Sequence, residues 1–175
     1  MDMHSTIPGK FIAAVILILL TMPVDAGKRD PALAGFFAAP VVIETAAGVK
    51  HAFTAYLAIS PAQRAHGLMF VRSLPADYGM LFIHDKPGIV NMWMKNTVLS
   101  LDMLFIRANG TIARIAHDTE PGSLENISSE EAVTGVLELN AGTTVKLGIA
   151  AGDKVIYRAF SAKPSAAVSP ANDPR

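Results

Sequence analysis

The side chains able to do chemistry gather in one stretch of the chain. Lys95 and Asp102 lie in or beside apolar runs, and Glu138 sits within Val136-Leu137-Glu138-Leu139, so all three are drawn toward partly buried surroundings. Buried charges are costly unless paired. Two arrangements would accommodate them: a structural network in which Arg64 or Lys95 meets Asp102 or Glu138, or a polar cleft lined by Lys95, Asn96, Thr97 and Asp102 that holds a ligand. Structural ion pairs commonly explain such residues, which favours the network, and the two arrangements are compatible. Trp93, beside Lys95 and Asn96, offers the flat apolar surface and hydrogen-bonding neighbours used to hold a sugar or another small polar ligand. In a regular strand, alternation sends Trp93 and Lys95 to one face and Met92, Met94 and Asn96 to the other. A bulge or strand end after Met94 is needed to re-aim Asn96.

Two other chemistries fit the residue types. A lysine nucleophile at Lys95, with Asp102 or Glu138 as its acid-base partner, would need desolvation to activate the amine. A Cu(I) site would use soft thioethers, with His66, Met69, Met80 and Met94 as ligands. The methionines after residue 26, Met69, Met80, Met92, Met94 and Met103, match no compact binding repeat, and filling irregular core gaps is the favoured account of them. His51, His84 and His117 are dispersed over separate segments and read as structural. Asp118 and Glu120, before Pro121-Gly122, form a small acidic loop better explained as a solvated turn than as a hard-cation site. There is no Gly-x-Ser-x-Gly elbow, His-Glu-x-x-His helix, phosphate loop or dinucleotide fingerprint, so a binding role is preferred to an enzymatic one and no cofactor is expected.

The 175 residues suit one domain, and 15 basic against 15 acidic residues leave no net charge. That balance lacks the electrostatic footprint of a nucleic-acid binder or a polybasic membrane-surface protein. With no cysteine, disulfides, a lipoprotein anchor and thiolate metal sites are excluded. Residues 1–26 read as a cleavable secretory signal: Lys10 and His4 precede the apolar run Phe11 to Leu20, and Val24-Asp25-Ala26 supplies small residues for cleavage after Ala26. The run is too short for a spanning helix, which needs about 20 apolar residues. The expected product is exported, periplasmic or secreted, monomeric, and free of the membrane once the signal is removed.

These groups must be positioned by a mainly β domain. Residues 27–38 read as a linker whose end docks through Phe36 and Phe37, residues 39–160 as the folded unit, and residues 161–175 as a disordered tail poor in large apolar side chains. Val41-Val42-Ile43 and the alternating Phe53, Ala55, Leu57, Ile59 read as an opening hairpin turning at Ala47-Gly48. Ser60-Pro61-Ala62-Gln63 is a capping box feeding a short helix that Gly67 stops. Shorter apolar runs follow: Met80 to Ile83, Val90 to Met94, Met103 to Ile106, Ile112 to Ala116, Val133 to Leu139 and Val155 to Phe160. Asn109-Gly110 predicts a hairpin with a two-residue type I′ turn. A helical turn is expected between Asn140 and Gly148. Around eight strands with one or two short helices make a single compact β-sandwich or barrel.

Arg64-Ala65-His66-Gly67-Leu68-Met69, Gly79-Met80-Leu81-Phe82, Trp93-Met94-Lys95-Asn96-Thr97 and Leu101-Asp102-Met103-Leu104-Phe105 occur in that order, followed by Val136-Leu137-Glu138-Leu139, Gly148 and Gly152-Asp153. The series resembles the domain of unknown function 192 family, small bacterial and archaeal proteins that are often exported. The resemblance covers about residues 41–158; Ser100 stands where that family often has Pro. It implies a compact β domain of jelly-roll-like type and no established reaction. Taken together, the expectation is a module that binds a small polar ligand or an extended peptide through Arg64, Trp93, Lys95, Asn96, Thr97, Asp102 and Glu138.

Overall fold

The computed structural model of the chain describes residues 30–160. The expected signal, the first residues of the expected linker and the expected tail lie outside them. Among the described residues seven strands form one sheet, in the order β5-β4-β6-β3-β2-β1-β7. They are β1 (Ala38–Glu44), β2 (Lys50–Ala58), β3 (Tyr78–Met92), β4 (Leu101–Ile106), β5 (Ile112–Ala116), β6 (Ile127–Asn140) and β7 (Lys154–Ile156), with two short helices, α1 (Pro61–His66) and α2 (Thr143–Leu147). Neighbours are antiparallel except β2 and β3, which run parallel because α1 and the loop after it carry the chain back to the start of the sheet. The sheet curls until its two edges meet at one bridge, Thr111 to Lys154. The compact, mainly β domain with two short helices expected from the sequence is therefore what forms, as a barrel-like curl of one sheet.

Alternation along the strands builds two apolar layers, one on each face. Val41, Phe53, Leu57, Leu81, Leu104, Leu137, Ile112 and Val155 fill the face shared by both edge strands. Tyr56, Met80, Phe82, Met103, Phe105 and Val136 fill the other, where Leu33, Phe36, Leu68, Val71, Leu74 and Met94 cover them. Central strands buried on both faces read as near-continuous apolar runs, as in β4, all six of whose residues are buried and all but Asp102 apolar. The segment before β1 docks rather than spans: Leu33 and Phe36 enter the core, while Phe37 is 82% exposed.

Seven strands stand where about eight are expected, because two of the expected runs join. Met80 to Ile83 and Val90 to Met92 are parts of one long strand, β3, which passes through the polar His84 to Gly88 with a register shift between Ile83 and Gly88 against β6. At the other end, Val155 to Phe160 is the short β7 followed by a 3-10 turn, Arg158–Phe160, that tucks Phe160 into the core. The hairpin at Asn109-Gly110 is present, but its turn is not type I′. Gly110 N–H donates to Arg107 O at 2.8 Å and Arg107 N–H to Thr111 O at 2.9 Å. Positive φ is confined to Gly110, at 85°, and this is the three-residue loop with a glycine bulge. A β-carbon there would lie 2.6 Å from Val155 O, so the glycine also lets β7 close the curl.

Candidate functional site

A cleft of about 230 Å³ opens on the face carrying Met80 and Phe82, between α1, the outer half of β3 and the turn that follows β3. Its position follows from three local features. The capping box of α1 forms as the sequence predicts: Gln63 N–H donates to Ser60 Oγ at 3.2 Å, and Ser60 N–H to Gln63 Oε1 at 3.0 Å. Gly67, at φ 53°, then ends the helix and swings Leu68 into the core while Met69 stays at the cleft. The third feature is the end of β3 at Met92, two residues before the point at which a strand end was considered. Thr97 N–H closes a turn on Met94 O at 3.0 Å, and Asn96 takes φ 55° at its third position, where a left-handed residue belongs in a type II turn.

That early strand end removes the alternation expected for residues 92–96. Met92, Trp93, Lys95 and Thr97 all line the cleft. Trp93 is half exposed with the Lys95 ammonium 5.7 Å from its ring centre, a cation–π pair at the rim. Asn96 does not line the cleft; its side-chain amide lies 3.8 Å from Met69 Sδ and its carbonyl accepts from Phe70 N–H at 2.9 Å. Its part is the turn.

Arg64, on α1, reaches across to the sheet. Its Nη1 donates to Ile83 O at 2.9 Å and to Ile59 O, tying the helix to β2 and β3. Those two carbonyls take one end of the guanidinium, and among the described residues no carboxylate pairs with it. The remaining Nη2 and Nε donors have no partner among the described residues.

Glu138 is the floor. β6 places it between Met80 of β3 and Met103 of β4, and its parity with Val136 turns the side chain onto the cleft face. It is 4% exposed, and its Oε2 is sealed from solvent with no hydrogen-bond partner. Burial pushes its carboxyl up to about 8, so near neutral pH it is a carboxylic acid. His84 is a second such group: its Nε2 is buried without a partner, and burial, reinforced by the Arg64 charge, lowers its pKa. Of the four buried side-chain polar atoms without partners among the described residues, two therefore belong to residues that line this one cleft. His84 was read as one of several dispersed structural histidines. Its parity with Met80 and Phe82 in β3 is the available signal, hidden because the apolar run in the sequence stops at Ile83.

Asp102 belongs elsewhere. It is fully buried and accepts from Thr144 N–H at 2.9 Å, Thr144 Oγ1 at 2.7 Å, Asp118 N–H at 3.1 Å and Gly142 N–H at 3.2 Å. Burial alone would raise its pKa, but the donors from Thr144, Asp118 and Gly142 outweigh it and bring the carboxyl below its usual range. Asp102 thus anchors the start of α2 and the Asp118 turn; it does not line the cleft, and the expected network of Arg64 or Lys95 with Asp102 or Glu138 does not form. Of the lysine nucleophile scheme, only Lys95 and Glu138 share the cleft. The four copper ligands are likewise not gathered. Met80 and Met94 are fully buried, Met94 Sδ accepts from Thr119 Oγ1 at 3.2 Å, and only His66 and Met69 line the cleft. The His66 ring packs between Phe36 and Phe70, with centroids 6.0 and 6.3 Å away.

Comparison with known proteins places these features in context. Residues 42–157 match the family model described as Uncharacterized ACR, DUF192. A solved structure from Sinorhizobium meliloti 1021, named as a candidate transcription regulator, is 46% identical, with a TM-score of 0.68 over 69% of this chain and 94% of that one. Another, a protein of unknown function from Novosphingobium aromaticivorans DSM 12444, is 34% identical, with a TM-score of 0.68 over 71% of this chain and 88% of that one. No curated protein matches.

Proposed function

The chain belongs to the domain of unknown function 192 family, and from that premise we propose that it is an exported, monomeric binding module that holds a small polar ligand in the cleft above Glu138. One observation carries the reading: two of the residues that line the cleft, Glu138 and His84, each hold a buried polar atom, Oε2 and Nε2, without a partner among the described residues. Buried polar groups in native proteins are nearly always hydrogen-bonded, and each orphan costs about 1–3 kcal/mol. A glutamate that weakens the fold in the unliganded protein is explained when a ligand completes its bonding. The volume, about 230 Å³, is small, which favours a small molecule over an extended peptide. Export rests on the leader at residues 1–26. The regulator name of the Sinorhizobium relative is not carried over as nucleic-acid binding, because the chain has no excess positive charge.

The test uses methyl-labelled methionine as an internal probe. Met69 and Met92 line the cleft, whereas Met80, Met94 and Met103 are buried in the core. Small polar molecules are titrated into the full chain, together with free tripeptides. The expected result is saturable movement of the Met69 and Met92 methyl signals, abolished in a folded Glu138→Leu variant. Movement with the tripeptides alone would replace the small ligand by a peptide, and no movement with any compound would end the reading.

A further inference from the structure

Resting on the binding reading above, we propose that the cleft takes a short organic acid bearing a second oxygen acceptor, its carboxylate held at the rim by Arg64 and Lys95 and its acceptor oxygen facing the Glu138 carboxyl. The charges lining the cleft are lopsided. Arg64 and Lys95 are cations, and Glu138 is the sole acidic residue among the lining. Among the described residues Arg64 Nη2 and Nε have no partner once its Nη1 is spent on the carbonyls of Ile59 and Ile83, and a guanidinium fork matches a carboxylate well. Lys95 is held beside the cleft by the Trp93 ring.

A ligand that brought a positive charge would have to pass these cations and displace the Lys95 ammonium from the Trp93 face. At depth the bonding need is the reverse. A protonated Glu138 has an O–H to give, and its Oε2 has no acceptor or donor among the described residues. A ketone, ester or hydroxyl oxygen meets that need without ionising the carboxyl. Between rim and floor the wall is apolar: Leu68, Phe82, Val90 and Met92 cover a carbon skeleton. The small volume limits the skeleton to a few carbons.

The titratable groups facing Glu138 are few. Arg64 and His66 come from α1, His84 from β3 and Lys95 from the turn; the register neighbours Met80 and Met103 bring no charge from β3 or β4. Of these, His84 is kept neutral by burial and by Arg64. Binding that needs the Glu138 proton then weakens about tenfold for each pH unit above about 8, where Glu138 ionises.

The experiment compares four probes on the full chain by calorimetry and by the Met69 and Met92 methyl signals. They are levulinate (carboxylate and ketone), valerate (carboxylate alone), methyl propyl ketone (ketone alone) and pentylammonium (cation). Levulinate is expected to bind at least about tenfold more tightly than valerate or the ketone, since one hydrogen bond to a charged or buried partner is worth that much. Its affinity should fall about tenfold or more in Lys95→Gln. In Glu138→Gln, which still donates from its amide, levulinate affinity should survive and lose its dependence on pH above 8. Pentylammonium or the neutral ketone binding more tightly than levulinate would overturn the organic-acid assignment and leave the binding reading standing. Silence of all four while other small polar molecules move the same methyl signals would do likewise. Silence of every compound would remove both.

Discussion

Replacing Glu138 by Gln should stabilise the protein, and by an amount that grows with pH. Burial lifts the Glu138 carboxyl from 4.5 to about 8. In the unfolded chain the group loses its proton above 4.5, whereas in the folded chain it keeps it until about 8. Between those values the folded state binds more protons, so the stability that the neutral carboxyl allows is fully present below 4.5 and is lost as pH rises toward 8. Each pH unit in that window costs about 1.4 kcal/mol, which gives a loss of about 3 kcal/mol at pH 7 and about 5 kcal/mol by pH 9. Glutamine does not ionise and nearly matches the shape. Urea denaturation of both proteins from pH 4 to 9 isolates the effect, because every other titrating group cancels in the difference. The variant's advantage should be near zero at pH 4, about 3 kcal/mol at pH 7, and level off above pH 8. A chain of this size gains about 3 to 5 °C in Tm per kcal/mol, so the pH 7 melting point should rise by about 10 °C or more. A difference that stays flat across the range would refute the reasoning, since Glu138 would then ionise equally in both states.

Asp102→Ala should cost about 3–5 kcal/mol in urea denaturation, because it strands the amides of Thr144, Gly142 and Asp118 and the Thr144 hydroxyl. The Asp102 carboxyl is held below its usual range, so its contribution is present above that range and fades as pH falls through the lowered value; the penalty measured for the alanine variant should therefore shrink in acid. Gly79→Ala should destabilise by about 1–3 kcal/mol, since a β-carbon there would lie 2.5 Å from the backbone oxygen of Glu138, and loss of amide-exchange protection along β3 and β6 would locate the damage. Ser60→Ala should cost about 0.5–2 kcal/mol through the lost cap on α1, read as a lowered Tm with the β-sheet circular dichroism unchanged.

What could be read from the residues divides along the range of the interactions that place them. Ser60, Pro61 and Gln63 cap α1 through bonds spanning three or four residues, and Val41 to Ile59 form a hairpin whose register follows from period-two alternation; both are local and both were legible. The Asn109-Gly110 hairpin was legible in place but not in kind. Its turn type is set jointly with β7, since Val155 N–H donates to Gly110 O at 2.8 Å across 45 residues of chain. Asp102 was rightly singled out as a charge inside an apolar run. Its partners are amides 16 to 42 residues onward and a hydroxyl 42 residues onward, and no pattern of residue types announces a backbone donor. A cation was the only partner the composition could suggest, and Arg64 in fact spends itself on carbonyls.

Glu138 shows the same rule from the other side. Its place within Val-Leu-Glu-Leu marks it as buried, because β6 lies between β3 and β4 and both of its faces are covered. Whether it is paired depends on what three separate elements bring to that face. The helix brings an arginine with one nitrogen already spent on two carbonyls, the turn brings a lysine beside Trp93, and β3 brings a histidine kept neutral. A carboxyl can stay protonated among such neighbours only because they line an open cleft rather than close on it as ion-pair partners. The same separation that leaves Glu138 unpaired also leaves space above it, which is why a costly buried carboxyl and the candidate binding site coincide.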